Sequence, residues 1–155
     1  MVEITENQPA PAFVLPTDGG GQAALADFAG KSVVLYFYPK ADTPGCTTEG
    51  LNFSALADQF AAANTVVIGV SRDAVKKLDR FKAKHDLKVV LGSDEDGVVC
   101  EAYGTWIMKK LYGREYMGVE RATFLIDGAG LVRRVWRSVK VKGHAEQVLD
   151  AARSL

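Results

Sequence analysis

Three continuous runs of apolar residues mark the candidate strands of this chain. SVVLYFY (32–38), TVVIGV (65–70) and ATFLID (122–127) contain few polar residues, a pattern typical of strands that are covered on both faces of a sheet. LVRRVW (131–136) predicts a further strand, which the turn DGAG joins to the third run as a β-hairpin. The chain is therefore expected to build its core around a β-sheet.

Apolar residues recur at helical spacing between and after these runs. The spacing predicts three helices, over about 45–63, 73–84 and 143–153. Asp73 is expected to cap the second helix, and Gly143 is expected to begin the third.

Two further stretches are assigned to the surface. The polar segment TDGGGQ (17–22) predicts a hairpin loop, and 107–120, with weak periodicity and two glycines, predicts a surface excursion.

The order strand, helix, strand, helix, hairpin and closing helix predicts an α/β sandwich, with a mixed sheet between helical layers. With 155 residues, of which 48% are hydrophobic, the chain is expected to form a single domain over 1–155.

The charge pattern argues against several classes of partner. Nineteen basic and nineteen acidic residues give zero formal charge, so nothing global attracts nucleic acid or an anionic membrane. The basic segment VRRVWRSVKVKG is interpreted as a solvated strand face rather than a phosphate-binding site. The opening MVEITENQPAPAF has no signal-peptide pattern, and no apolar run is long enough to cross a bilayer. We therefore expect a cytoplasmic protein with neither a nucleic-acid nor a membrane partner.

Cys46 is the candidate reactive group. It follows a predicted buried strand, and its helix is expected to start near Thr43 and Pro44, a cap residue followed by a first-turn proline. In the first turn, unpaired backbone N–H groups and the helix dipole favour a thiolate. The alternative is a small buried hydrophobic residue, but the neighbouring threonines, proline and glycine do not provide an apolar setting. We therefore favour a reactive thiolate.

The surroundings of Cys46 resemble a known family. Within FYPKADTPGCTTE, the pattern Pro39-x-x-x-Thr43-x-x-Cys46 resembles the peroxidatic-cysteine motif of peroxiredoxins, and the flanking wording resembles their bacterioferritin-comigratory (Q-type) subfamily. The resemblance extends over nearly the whole chain. It implies a thioredoxin-like α/β fold, reduction of hydroperoxides and no cofactor or metal. A thioredoxin itself would need C-x-x-C, and Thr43 stands where the first of those cysteines would be.

The same resemblance implies roles around the sulfur. Cys46 would attack a peroxide oxygen and become a sulfenic acid. Thr43 would offer its hydroxyl to the thiolate and the peroxide. The N–H groups of Gly45 and Cys46 would bind the peroxide, and Pro39 would shield the sulfur from water. Taken without the resemblance, Thr43 and Pro39 merely build a turn.

Two charged residues complete the site that the resemblance implies. Arg121, in VERATFLID, would hold the sulfur anionic and polarise the substrate, and Glu49 would orient Arg121. Without the resemblance, Arg121 is interpreted equally well as a solvated charge at a sheet edge. Glu49 is then interpreted as an acidic residue favoured in a first helical turn. His85 and His144 have no metal-ligand spacing and are interpreted as surface residues.

The second cysteine decides how the sulfenic acid is reduced. Leu51 stands where many close relatives carry a resolving cysteine, and 73–85 contains none. Cys100, after two valines in a predicted short helix, is interpreted as a buried structural thiol. This predicts a one-cysteine enzyme regenerated by thioredoxin, glutaredoxin or a small thiol. The alternative is an atypical two-cysteine enzyme in which Cys100 resolves Cys46, which requires their α-carbons within about 7 Å.

Two other functional classes stay open at the level of sequence. A thiol-disulfide oxidoreductase acting on proteins is disfavoured because C-x-x-C is absent. A redox-sensing or chaperone module would use Cys46 stoichiometrically to change a partner interface. The resemblance further implies a monomer or weak dimer.

Overall fold

A computed structural model describes residues 3–155. In chain order its strands and helices are β1 (Val14–Pro16), β2 (Gln22–Ala24), β3 (Ser32–Phe37), α1 (Pro44–Ala55), α2 (Ala57–Ala62), β4 (Thr65–Ser71), α3 (Val75–His85), β5 (Val90–Ser93), α4 (Val98–Ala102), β6 (Trp106–Leu111), β7 (Arg114–Val119), β8 (Ala122–Ile126), β9 (Val132–Trp136) and α5 (His144–Arg153). Short 3₁₀ turns occupy Asp18–Gly20 and Leu25–Phe28. No helix in this described part is long and apolar enough to cross a membrane.

The central sheet has the strand order β5-β4-β3-β8-β9. β3 pairs in parallel with β4, and β4 with β5, whereas β8 is antiparallel to both β3 and β9. The three apolar runs therefore form the three inner strands, and the predicted α/β sandwich with a mixed sheet is confirmed. The predicted β8–β9 hairpin is also confirmed, while the edge strand β5 was not predicted because its run is short.

Two separate apolar cores lie on the two faces of this sheet. Side chains alternate along β3, so Val34 and Tyr36 join one core while Val33 and Leu35 join the other. Helices α1, α2, α3 and α5 cover the first face, and the N-terminal segment with α4 covers the second. The sheet thus divides the interior into two compartments.

Two of the helix predictions need correction. The helix expected over 45–63 is two helices, because the backbone leaves helical geometry at Leu56 (φ −102°, ψ 7°). No proline or glycine marks this break, so the periodicity carried no sign of it. Asp73 does not cap α3, which begins at Val75 with no side-chain cap. Its carboxylate instead accepts hydrogen bonds from the Ala41 N–H and the Ser71 hydroxyl, both at 2.7 Å.

The surface excursion predicted over 107–120 is a regular β-hairpin, which its weak periodicity did not indicate. This antiparallel hairpin, β6–β7, is paired from Trp106 with Val119 to Leu111 with Arg114. Tyr112 and Gly113 form its two-residue turn with positive φ at both positions, the geometry of a type I′ hairpin. The pattern was weak because both faces of this separate ribbon are largely solvent-accessible.

Three smaller predictions agree with the structure. The hairpin loop over 17–22 connects β1 to β2, and α5 begins directly after Gly143. Arg133 and Arg134 are exposed on β9, as expected for a solvated strand face.

Candidate active site

The start of α1 places Cys46 at the edge of the first core. Thr43 is the extended residue before the helix, and Pro44 is its first helical residue, as predicted, but the Thr43 side chain makes no capping hydrogen bond to the helix. Because proline has no N–H, the first-turn donors are those of Gly45 and Cys46, while the Thr47 N–H already donates to the Thr43 carbonyl at 2.8 Å. The Cys46 side chain lies beside these donors and is only 2% exposed.

Arg121 joins Cys46 to Glu49. These two residues are three positions apart on α1 and lie on the same face of the helix. Arg121, directly before β8, places Nη2 3.5 Å from the Cys46 Sγ and Nη1 2.6 Å from the Glu49 Oε1. One guanidinium thus contacts a thiol and a carboxyl that are both buried.

Glu49 is buried more deeply than its charge would favour. It is 1% exposed, and its Oε2 has no hydrogen-bond partner. Burial raises the pKa of this carboxyl from 4.5 to about 7, against the opposing effect of Arg121. Glu49 therefore titrates near neutral pH while paired with an arginine.

Gly45 and Thr43 shape the approach to the sulfur. A Cβ atom at position 45 would lie 3.2 Å from the Arg121 Nη2, so glycine lets the guanidinium pack against the start of the helix. The Thr43 hydroxyl donates to the Lys40 carbonyl at 2.8 Å and not to the sulfur. Its expected bond to the thiolate stays a prediction that requires a change of rotamer.

The chain is similar to known proteins in both sequence and structure. Residues 7–135 match the model of the AhpC/TSA family. The sequence is 48% identical to a putative peroxiredoxin bcp of Coxiella burnetii, over 96% of this chain and 98% of that protein. It is 45% identical to the peroxiredoxin Bcp of Bacillus subtilis, over 98% and 97% of the two chains.

A solved structure of the Xanthomonas campestris bacterioferritin comigratory protein superposes with a TM-score of 0.90. It is 44% identical in sequence, and the match covers 97% of this chain and 98% of that one.

This chain belongs to the AhpC/TSA family. It is a thiol-dependent peroxidase with the thioredoxin-like fold that the sequence predicted. Its family acts on hydroperoxides and uses thiol reductants such as thioredoxin.

An open cleft of about 510 Å³ beside the site was not predicted. Pro39, Trp106 and Lys109 are among its lining residues. Burial, followed by the positive charge of Arg121, lowers the pKa of Lys109. Sequence reasoning missed this lysine because nothing in the pattern of 107–120 indicates that a hairpin folds towards Cys46.

Cys100 lies on the opposite face of the peroxidase's sheet. It belongs to the second core, whereas Cys46 belongs to the first, and its exposure is 0%. Burial and the neighbouring Asp94 raise the pKa of its thiol. The Asp94 carboxylate accepts the Cys100 N–H at 2.7 Å and the Val99 N–H at 3.1 Å. The prediction of a buried Cys100 is confirmed.

The prediction that both histidines are surface residues was wrong for His144. Its ring is buried and lies 2.8 Å from the Thr123 hydroxyl. Burial, followed by the charge of Arg121, lowers the pKa of His144 to about 4, so it is neutral at physiological pH. The polar residues around it in sequence hid its inward orientation.

His85 is partly exposed and pairs with Asp42 at 2.9 Å. Residues 3–155 contain no cluster of side chains suited to a metal ion.

Proposed function

We propose that Cys46 is the residue at which this peroxidase reduces hydrogen peroxide and organic hydroperoxides. The thiolate attacks one peroxide oxygen, the O–O bond breaks, and the sulfur becomes a sulfenic acid as water or an alcohol leaves. The observation that carries the proposal is the Arg121 Nη2 at 3.5 Å from the sulfur of a first-turn cysteine. The Xanthomonas campestris protein has alkyl peroxide reduction activity, which supports organic hydroperoxides as substrates.

Ionisation of the thiol accounts for only part of the catalysis. A free cysteine is already a few per cent thiolate at neutral pH, so full ionisation raises the rate about 30-fold, or about 2 kcal/mol. Enzymes commonly lower their barriers by about 8 kcal/mol or more, and the remainder requires donors aimed at the peroxide oxygens. The N–H groups of Gly45 and Cys46 and the guanidinium of Arg121 are those donors. Thr43 contributes after its hydroxyl turns away from Lys40.

The route back to the thiol is proposed to be intermolecular. Cys100 is separated from Cys46 by the sheet, and burial keeps its thiol protonated, whereas disulfide formation needs two sulfurs in direct reach. Leu51 provides no second thiol on α1. We therefore assign a one-cysteine cycle in which thioredoxin, glutaredoxin or a small thiol reduces the sulfenic acid, in a cytoplasmic monomer or weak dimer.

The test is intact mass with thiol titration after one equivalent of hydrogen peroxide, without reductant. We expect one added oxygen, trapped on Cys46 by a sulfenic-acid reagent, while Cys100 remains a free thiol. Loss of two hydrogens and of both thiols within one chain would overturn the one-cysteine cycle and make Cys100 the resolving residue.

Matched serine variants test the same proposal by turnover. Cys46→Ser is expected to abolish peroxide reduction with an added thiol reductant, because the nucleophile is lost. Cys100→Ser is expected to leave turnover largely intact. Comparable loss in both variants, with the fold preserved by circular dichroism, would contradict the assignment of Cys46 alone. Multiple turnovers in the unaltered protein would exclude a purely stoichiometric sensor.

A further inference from the structure

A single cation, Arg121, contacts two buried acidic groups at this site, the Glu49 carboxyl and the Cys46 thiol. Arg121 donates to Glu49 Oε1 at 2.6 Å and reaches the Cys46 Sγ at 3.5 Å. Both acidic side chains are at most 2% exposed. Over residues 3–155, Arg121 forms the one ion pair to Glu49. A thiolate and a carboxylate together would leave one negative charge in the interior without a partner, which is costly.

The free oxygen of Glu49 makes the ionised carboxyl particularly unfavourable. Oε2 is buried and receives no hydrogen bond, and an anionic oxygen without donors loses its water without replacement. A protonated carboxyl carries no such charge. The geometry therefore favours one shared proton between Cys46 and Glu49 over two anions.

The neighbouring titratable groups do not supply a second compensating charge to Glu49. Tyr36 of β3 and Tyr38, directly after this strand, are buried with raised pKa values, so both are neutral phenols. His144, from α5, is a neutral imidazole because burial lowers its pKa to about 4. Arg121 remains the cation on which the pair depends.

The surroundings of the two acids differ in the positive charge and the donors that they offer. The charge of Lys109, on β6, interacts with Arg121, Cys46 and Glu120, and burial is the largest influence on its pKa. For Glu49, the charge interactions come from Arg121 alone. Cys46 also lies beside the N–H groups of the first helical turn, which favour an anion. The surroundings thus stabilise negative charge on the sulfur and leave the proton on Glu49.

We propose that Glu49 stores the proton that peroxide reduction consumes: it is a carboxylic acid while Cys46 is a thiolate, and it becomes a carboxylate when Cys46 is oxidised. The inference rests on the proposed role of Cys46 as the residue that attacks the peroxide. Glu49 contacts Arg121 through Oε1, so it is a positioning residue that also holds a proton.

The proton from Glu49 balances the atoms and charges of the reaction. The Cys46 sulfur forms a bond to one peroxide oxygen as the O–O bond breaks, so the sulfur loses two electrons and the peroxide gains them. The departing hydroxide or alkoxide takes the proton that Glu49 releases, giving water or an alcohol. Negative charge has then moved from the sulfur to Glu49, and Arg121 remains paired with one anion throughout. When the external thiol restores the Cys46 thiol, its proton returns to Glu49.

Infrared difference spectroscopy tests the stored proton directly. At about pH 8, a carboxyl whose pKa is about 7 would be ionised, so a protonated Glu49 at that pH reports the additional negative charge of an adjacent thiolate. One equivalent of hydrogen peroxide is expected to remove a protonated-carboxyl band and create a carboxylate band. Glu49→Gln should lack both changes, and Cys46→Ser should show a carboxylate from the start. Glu101→Gln, at an exposed position of α4, should behave as the unaltered protein.

Proton counting in weak buffer with a pH indicator is the second measurement. The unaltered protein is expected to take up almost no proton per Cys46 oxidised, whereas Glu49→Gln should take up about one, since its internal donor is gone. Equal uptake by the two proteins, or a carboxylate band already present before peroxide, would overturn the inference. Intact mass is measured on the same samples. If Cys46 gains no oxygen, the proposed function itself fails, which distinguishes that result from an oxidised Cys46 with an unchanged carboxyl.

Discussion

At the scale of single residues, Arg121 connects the chemistry of the site. Its guanidinium holds two donors in a rigid fork, and the two acids lie one on each branch, Glu49 at 2.6 Å and Cys46 at 3.5 Å. Lysine has one compact charged group at the end of a flexible chain and cannot reproduce this bridge. The residue type therefore matters as much as the charge.

Replacing Arg121 is expected to slow oxidation of Cys46 strongly. Arg121→Ala removes the guanidinium that reaches the Cys46 Sγ; if it is a donor to the reacting atoms, as proposed, its loss is expected to cost about 100-fold or more in rate. Stopped-flow tryptophan fluorescence with limiting peroxide measures the rate, and thiolate absorbance is expected to fall at neutral pH. Arg121→Lys should recover only part of the loss.

Arg134→Ala is the matched control for this prediction. Arg134 is exposed on β9 and stacks on Trp136 at 5.0 Å, so its removal is expected to leave the oxidation rate unchanged. An unaltered rate and thiolate absorbance in Arg121→Ala would remove Arg121 from the site.

At the scale of elements, α1 holds Cys46 inward and position 51 outward. Cys46 is 2% exposed and Leu51 is 43% exposed. Five positions along an α-helix correspond to a rise of about 7.5 Å and a rotation to roughly the opposite side. A disulfide between these positions therefore requires α1 to unwind, because the α-carbons must come within about 7 Å.

A cysteine introduced at position 51 is expected to convert the enzyme to an intramolecular disulfide route. In the Cys100→Ser background, Leu51→Cys treated with peroxide should lose two hydrogens in mass, with Leu51→Ser as the control that instead gains an oxygen. Hydrogen exchange should show lost protection over Pro44–Ala55 in the disulfide form only. A disulfide formed with α1 still protected would contradict the geometry described for this helix.

At the scale of the whole molecule, two buried titratable groups act in opposite directions on stability. The folded protein raises the pKa of Glu49 from 4.5 to about 7, so Glu49 destabilises the fold as pH rises through this window. It lowers the pKa of His144 from 6.5 to about 4, so His144 destabilises the fold as pH falls through that window. The two groups therefore have opposite effects on the pH dependence of the free energy of unfolding where their windows overlap.

Variants of Glu49 and His144 should therefore separate the two contributions to the pH dependence of the free energy of unfolding. In the Cys46→Ser background, which removes the coupled thiol, Glu49→Gln is expected to make the free energy of unfolding rise more steeply from about pH 4.5 to 7. His144→Gln is expected to make it fall over about pH 4 to 6.5. Urea denaturation across pH measures both, and parallel pH profiles for the two variants would contradict the opposite signs.

The site was predictable from sequence where local geometry decides it. A proline favours the first position of a helix, and the proline at position 44 therefore predicted Cys46 in the first turn. Arg121 and Glu49 were reached through the resemblance, because a separation of 72 residues carries no local pattern. Lys109 was missed altogether, since its position depends on how the β6–β7 hairpin folds over the site. The single-domain organisation over 1–155 stays a prediction.

The sequence alone determined the inner strands, the position of Cys46 in a first helical turn and the family, because apolar runs, helix starts and motif residues are local properties of the chain. Only the tertiary structure decided that the two cysteines lie on opposite faces of the sheet and that His144 points inward. It also decided that one arginine serves both a thiol and a carboxyl. These facts depend on packing between distant segments, which determines burial and therefore the cost of each charge.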